Sequence, residues 1–153
     1  MTEETKMSMD RIEDRLAVAD VVHAYAEGVD DGDCARVASL FAPDCVFRAF
    51  AGPKGEARGI AEVEKLLDRL LTTFRMTSHH VSNSRIAFDG ADRAAATTAL
   101  HAWHRFVEER PDGLLWGRYV DTFVRIDGSW LFAERELRIA GESEFPFAWI
   151  PMR

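Results

Sequence analysis

The sequence predicts an α+β domain, and three observations carry that prediction. Helical periodicity occupies the first half of the chain, strand-like alternation occupies the second, and turn signals divide that second half into four segments of hairpin length. Three N-terminal helices followed by an antiparallel meander must pack one sheet face on the helices. A strongly curved sheet would wrap them as a cone and leave a pocket between the layers.

The first helix is expected from Asp10 to Asp30. Ile12, Leu16, Ala19, His23, Ala26 and Asp30 recur at spacings of four and three, and Val18, Val22, Tyr25 and Val29 form the adjacent stripe. Together they make one wide apolar face. Asp31-Gly32 breaks the chain, and Asp33 is a good N-cap for a short helix from Cys34 to Phe41. Pro43-Asp44 ends that helix, and Cys45-Val46-Phe47 starts a strand. Residues 50–59 hold three glycines and a proline, which break any periodicity and predict a loop or loose hairpin.

A third amphipathic helix is expected from Ile60 to about Phe74, with Val63, Leu66, Leu67, Leu70 and Phe74 inward. Strands follow over 78–88, 93–108, 115–126 and 129–140. They are separated by Asp89-Gly90, Pro111-Asp112-Gly113 and Asp127-Gly128, where glycine accepts positive φ without steric cost. The chain therefore reads as one domain, 1–153, with a flexible N-terminus over 1–9. The segment 142–153 is a tail too apolar for a free end, expected to cover the pocket or a neighbouring subunit.

Composition narrows the function. Apolar residues make up 47% and charged residues 29%, which is globular rather than disordered composition. A net charge of −7 with the basic residues scattered among acids gives no face for phosphates, so no nucleic-acid partner is expected. The N-terminus has no apolar segment of signal-peptide type and no apolar run reaches membrane-spanning length, so no membrane partner is expected and the cytoplasm is the expected location. Cys34 and Cys45 have no metal-ligand spacing and are expected as free thiols.

Asp30 is the most informative residue. It lies on the apolar stripe at the C-terminal end of its helix, where the macrodipole disfavours an anion. The alternative is a frayed helix end that turns Asp30 to water. His23, on the same stripe, is better explained as a core histidine with one hydrogen bond. Tyr25 could point its hydroxyl into a pocket or simply fill the core.

His79 and His80 open a strand with opposite parity, so one of them at most lines the pocket. There a histidine beside a carboxylate is a natural general base. His101 and His104 diverge in the same way on the next strand, so neither pair brings two imidazoles to one ion along a strand, and no metal is expected. No nucleophile elbow, glycine-rich phosphate loop or activated cysteine is present, so no cofactor is expected either. Either Glu134 or Arg135 should face the concave side of the last strand; alternation alone does not say which.

The layout and these residues together resemble the SnoaL-like branch of the nuclear transport factor 2-like superfamily, with its cystatin-like fold. The resemblance rests on Tyr25-Ala-Glu-Gly-Val-Asp30-Asp-Gly-Asp33, Leu40-Phe41-Ala-Pro-Asp44 and Val124-Arg-Ile-Asp-Gly-Ser-Trp130-Leu-Phe132. The lyases of that branch are the nearest in motif. Gly28-Val29-Asp30, Thr77-Ser-His79-His-Val-Ser-Asn83 and the spacing from Trp130 to Arg135 are similar to hexachlorocyclohexane dehydrochlorinase. A strand-opening histidine near a first-helix aspartate is similar to scytalone dehydratase and bile acid 7α-dehydratase, and Tyr25 five residues before Asp30 is similar to the latter.

The resemblance implies catalytic roles for Asp30, His79, Tyr25 and Arg135. It selects His79 over His80, and it suggests His101 or His104 as a second pocket histidine. The implied activity is a cofactor-free lyase, of dehydratase or dehydrohalogenase type, acting on a small apolar cyclic molecule. In this reading Arg135 stabilises negative charge or pairs with Asp30. An isomerase or polyketide cyclase, or a non-catalytic binding or dioxygenase small subunit, are the alternatives on the same fold. A homodimer or homotrimer is expected through the open sheet face, where Trp116, Val120 and Val124 share one parity as an interface or core row would.

Overall fold

Helix α1 spans Glu3–Asp30 and supplies the inner layer of the domain. The computed structural model describes residues 3–153, with side chains from residue 11 onward. Of the N-terminal segment expected to be flexible, residues 1 and 2 lie outside the described residues, and the backbone is helical from Glu3. The stripe that α1 buries is Val18, Val22, Tyr25 and Val29, together with Ala26. The neighbouring stripe turns out differently: Ile12, Leu16 and His23 face solvent. His23 is therefore not the core histidine its stripe suggested. The second row is exposed over its first half and is covered only near its end, at Ala26 and Asp30.

Asp14 fixes the helix in place. Its carboxylate accepts hydrogen bonds from Arg125 and from Trp130 Nε1, the latter at 3.1 Å, tying the helix to the last hairpin. Helix α2, Cys34–Ala38, begins at Asp33, whose side chain accepts from Arg36 N. It is shorter than the expected Cys34–Phe41, because Phe41 already belongs to a strand. Gly28 explains how α2 packs on α1: a Cβ there would meet Val37 Cγ2 at 2.6 Å, so only glycine allows this approach.

Strand β1 is Phe41–Arg48, starting earlier than Cys45 and carrying Pro43 through an irregularity between Phe41 and Val46. The 50–59 segment is a hairpin: a turn of 3₁₀-helix over Pro53–Gly55 leads into β2, Glu56–Arg58, antiparallel to β1. Helix α3 is Ile60–Leu71, burying Val63, Leu66 and Leu67. Phe74, expected at its end, instead opens β3, Phe74–Asp89. Strands β4, Arg93–Phe106, β5, Gly113–Ile126, and β6, Ser129–Ser143, complete the antiparallel meander. The two-residue turn between β5 and β6 is Asp127-Gly128, both at positive φ.

The result is one seven-stranded mixed sheet in the order β2-β1-β6-β5-β4-β3, with β7, Ile150–Pro151, also pairing with β6. Strands β1 and β7 run parallel to β6. This is a cystatin-like α+β fold. The concave face carries Ala96, Thr98, Leu100, Ala102, His104 and Phe106 of β4, and Leu115, Tyr119, Asp121 and Phe123 of β5. Trp116, Val120 and Val124 have the opposite parity on β5 and lie on the outer face, so they are not a core row; Trp116 is exposed.

The registers of β3 and β6 each shift at two places, and one shift in each strand bears on the site. In β3 the register shifts between Ser82 and Arg85, around Asn83 at φ 51°. In β6 Thr122 faces Glu134 while Phe123 faces Phe132, leaving Ala133 as the extra residue. Beyond that bulge the odd-numbered residues Arg135, Leu137 and Ile139 point inward. Cys34 and Cys45 are free thiols. Among the described residues, no helix is long and apolar enough to cross a membrane.

Candidate active site

The site forms where the C-terminus of α1 meets the start of β3. Asp30 ends the helix, and the β3 backbone passes directly over its carboxylate. His79 N donates to Asp30 Oδ2 at 2.8 Å, His79 Nδ1 lies 2.6 Å from Oδ1, and Thr77 Oγ1 donates to Oδ1 at 2.7 Å. The helix dipole is unfavourable here, and burial by itself would raise the Asp30 carboxyl. The hydrogen bonds from the His79 side chain and backbone and from Thr77 win, holding it below its ordinary value.

Because a carboxylate only accepts, His79 carries its proton on Nδ1 and keeps the Nε2 lone pair free. That ring borders a cavity of about 600 Å³, opening included, which is otherwise walled mainly by aliphatic and phenylalanine side chains. Only five cavity-lining residues carry polar side-chain atoms: Tyr25, His79, His104, Tyr119 and Trp149.

His104 pairs with Thr77 in the β3–β4 register and lies diagonal to His79, ring centroids 5.1 Å apart and nearly perpendicular. It also packs on Phe74 and Phe145. Burial, with the neighbouring His79, depresses its pKa to about 3, so this imidazole is neutral. His101 is on the outer face, stacked at 5.4 Å on Trp116 and 6.3 Å from His80. Cross-strand register thus forms two histidine pairs, one inside and one outside, that the parity of a single strand does not reveal. No cluster of three or more metal-ligating side chains occurs among the described residues.

Tyr25 and Tyr119 meet edge to face, with ring centroids 5.7 Å apart. Burial pushes the Tyr25 phenol up to about 12, against an opposing pull from Arg135, and raises that of Tyr119 well above its ordinary value. Both are neutral hydroxyl donors at ordinary pH.

Arg135 does not line the cavity and does not pair with Asp30. Its Nε and Nη2 bond Asp121 at 2.9 and 3.1 Å, both residues being fully buried. The guanidinium lies 3.7 Å from the centroid of Tyr119, 4.0 Å from Tyr25 and 4.2 Å from Phe132. Burial raises the Asp121 carboxyl, and the two hydrogen bonds from Arg135 oppose that rise and keep the pair ionic. A positive charge therefore sits behind both tyrosines. The expected Arg135–Asp30 salt bridge is replaced by one with Asp121.

The tail closes the cavity. Phe147 stacks on Phe50 at 5.0 Å and 9°, Ala51 N donates to Ala148 O at 2.8 Å, and Phe145 and Trp149 form the remaining rim. Asp30 thus pairs with His79, and His79 and Tyr25 border the same cavity, while Arg135 stands one layer back. Tyr119, Asp121 and Trp149 were missed. The even spacing from Leu115 through Tyr119 and Asp121 to Phe123 was the available signal for the two β5 residues; for Trp149 the apolar tail gave only a location.

Comparison with known proteins agrees with this architecture. The SnoaL-like domain family matches residues 10–136. The chain belongs to the SnoaL-like family. A crystal structure from Novosphingobium aromaticivorans DSM 12444, of a protein provisionally named a scytalone dehydratase, is 34% identical with a TM-score of 0.88, covering 95% of this chain and 97% of that one. Hexachlorocyclohexane dehydrochlorinase type 3 from Novosphingobium barchaimii LL02 shares the SnoaL-like chain's fold at 22% identity and TM-score 0.80, covering 94% and 99%. A cystatin-like protein from Nostoc punctiforme PCC 73102 is 23% identical with a TM-score of 0.69, covering 82% and 90%. Comparison with curated protein sequences finds no match.

Proposed function

We propose that this SnoaL-like protein is a cofactor-free lyase acting on a small, largely apolar cyclic molecule. The single observation that carries the reading is the 2.6 Å contact between Asp30 and His79, whose ring borders an apolar cavity. His79 Nε2 removes a proton from a ring carbon, and the Asp30 carboxylate stabilises the imidazolium that forms. The C–H electron pair becomes the new double bond as the leaving group departs from the adjacent carbon. The proton on His79 then passes to a departing hydroxide, giving water, or to solvent when the leaving group is a halide.

Tyr25 and Tyr119, held neutral, donate to a carbonyl or leaving oxygen. The Arg135 charge behind them favours the build-up of negative charge on that oxygen without touching it. The names of the dehydratase and dehydrochlorinase neighbours point the same way. The reading extends to a homodimer or homotrimer formed through the outer sheet face, where Trp116 is exposed.

The test is a panel of cyclic alcohols and halides incubated with wild type, His79→Ala and Asp30→Asn. Unsaturated products from wild type, reduced by a factor of about 10² to 10⁴ in either variant, support the reading. Products of unchanged composition would make the protein an isomerase or cyclase using the same base. Binding without turnover by wild type would make it a carrier.

A further inference from the structure

Two side chains that line the cavity each carry a polar atom with no water-accessible surface and no hydrogen-bond partner among the described residues: Trp149 Nε1 and His104 Nδ1. An outside partner reaches either one only after a small shift of its ring. Folded proteins rarely leave such atoms unpaired, because a buried donor forfeits its bond to water and gains nothing in return. The indole nitrogen is the more informative of the two. Unlike the imidazole nitrogen, which accepts or donates according to tautomer, Nε1–H can only donate. The partner it lacks must be an acceptor.

The tail around Trp149 is well determined by its contacts. Its ring packs on Phe145 and Phe147 at 5.5 Å from each, and the backbone on either side is tied down, at Ala148 to Ala51 and at Ile150 to β6. The indole is thus built into the rim with its donor unspent. Elsewhere in the chain the buried indole of Trp130 and the half-buried one of Trp103 each donate to a carboxylate. Trp149 departs from that pattern at the pocket.

We propose that the ligand of this cavity carries a carbonyl or hydroxyl oxygen that accepts the Trp149 Nε1–H, making the tail tryptophan its specificity-determining donor. The inference rests on the proposed function only in taking this cavity as the reaction site, and it narrows the substrate to oxygen-bearing rings. Carbon-bound halogen is a poor acceptor and would leave the indole unpaired. A site built around a donor rejects an analogue lacking the acceptor far more strongly than an apolar wall rejects a shape. With Tyr25 and Tyr119 as further donors, the pocket offers an oxygenated ring several contacts and a halocarbon none.

The test uses a matched pair of inert ligands, 1-indanone and indane, titrated calorimetrically into wild type and Trp149→Phe. Loss of the N–H weakens 1-indanone binding about tenfold while indane stays within twofold. In ¹⁵N-labelled wild type, 1-indanone moves the Trp149 indole N–H resonance downfield and indane does not, a readout that needs no variant. Equal weakening of both ligands, an unmoved indole resonance, or failure of 1-indanone to bind wild type at millimolar concentration each overturns the proposal. Binding needs no turnover. An inactive His79→Ala series with a discriminating Trp149 therefore separates this claim from the lyase reading, as does an active enzyme that does not discriminate.

Discussion

Asp30 grips His79 twice, through the ring at Nδ1 and through the backbone N–H, with one carboxylate oxygen for each. In the proposed mechanism, the side chain that tunes the base therefore also anchors the strand that carries it. Asp30→Asn keeps the shape but presents a neutral amide where a carboxylate belongs, so it loses imidazolium stabilisation. The expected outcome is kcat lowered by about 10² or more with KM little changed. The depressed Asp30 pKa adds a second signature. The stability it contributes is present above the ordinary carboxylate value and is lost as pH falls through the lowered folded value. Urea midpoints below pH 4 should fall faster for wild type than for Asp30→Asn.

His104 makes a separate contribution to acid sensitivity. Its pKa falls from 6.5 to about 3 on folding, so the unfolded chain binds the extra proton between those values. Stability is fully present above pH 6.5 and declines toward pH 3, by at most about 1.4 kcal/mol per pH unit. His104→Phe keeps a ring against Phe74 and Phe145 and removes the titration. Denaturant unfolding at pH 7 and 5 should show a flatter pH dependence for the variant; identical slopes would contradict the burial argument.

The chain has only two tyrosines, which makes the Tyr25–Tyr119 pair directly observable. Both phenols are raised above 10, Tyr25 to about 12. The stability linked to them is intact below pH 10 and is lost as pH rises through the folded values. Absorbance near 295 nm should show little tyrosinate at pH 10.5 in the folded protein and about three-quarters ionisation in urea. Half-ionisation of the native protein at pH 10 would mean that the hydroxyls face solvent.

Breaking the Asp121–Arg135 pair should cost far more than deleting it. Arg135→Met strands a buried carboxylate and Asp121→Leu strands a buried guanidinium, each destabilising by about 3–5 kcal/mol. The double variant leaves no stranded charge and should recover most of that loss in chemical denaturation. Its activity should stay low, because the charge behind Tyr25 and Tyr119 is gone.

Gly113 lies opposite His104 in the β4–β5 pairing, and a Cβ there would meet the Phe145 ring at 2.5 Å. Gly113→Ala must displace that ring and with it the rim of the cavity. A stability loss of about 1–3 kcal/mol is expected, together with weaker binding of cyclic ligands, measured by thermal denaturation and calorimetry.

Much of this was readable from sequence because the relevant signals are local. The helix and strand periods, the Asp-Gly turns and the cap at Asp33 each depend on neighbours within a few residues. The pairing of Asp30 with His79 needed the family likeness, since 49 positions separate them and the pattern offered two histidines. The alternation of β4 places His104 inside and His101 outside with no irregularity, yet it could not identify the concave side in advance. On α1, both apolar stripes look alike in sequence; only docking of the helix decided that Val18, Val22 and Val29 are buried while Ile12 and Leu16 are not. Arg135 was placed in the right region with the wrong partner, because Asp121 lies on a neighbouring strand and no spacing links the two.

The extra residue at Ala133 has a consequence beyond local geometry. It puts the two halves of β6 out of phase, so that Trp130 and Phe132 before it and Arg135 and Leu137 after it all face inward despite their different numbering parity. Straightening the bulge while keeping all its residues would reverse the phase downstream, turning Glu134 toward the two tyrosines and Arg135 to the outside, whereas deleting Ala133 would leave Arg135 inside. The sign of the charge beneath the pocket thus depends on the strand keeping its bulge, a backbone feature outside the cavity lining.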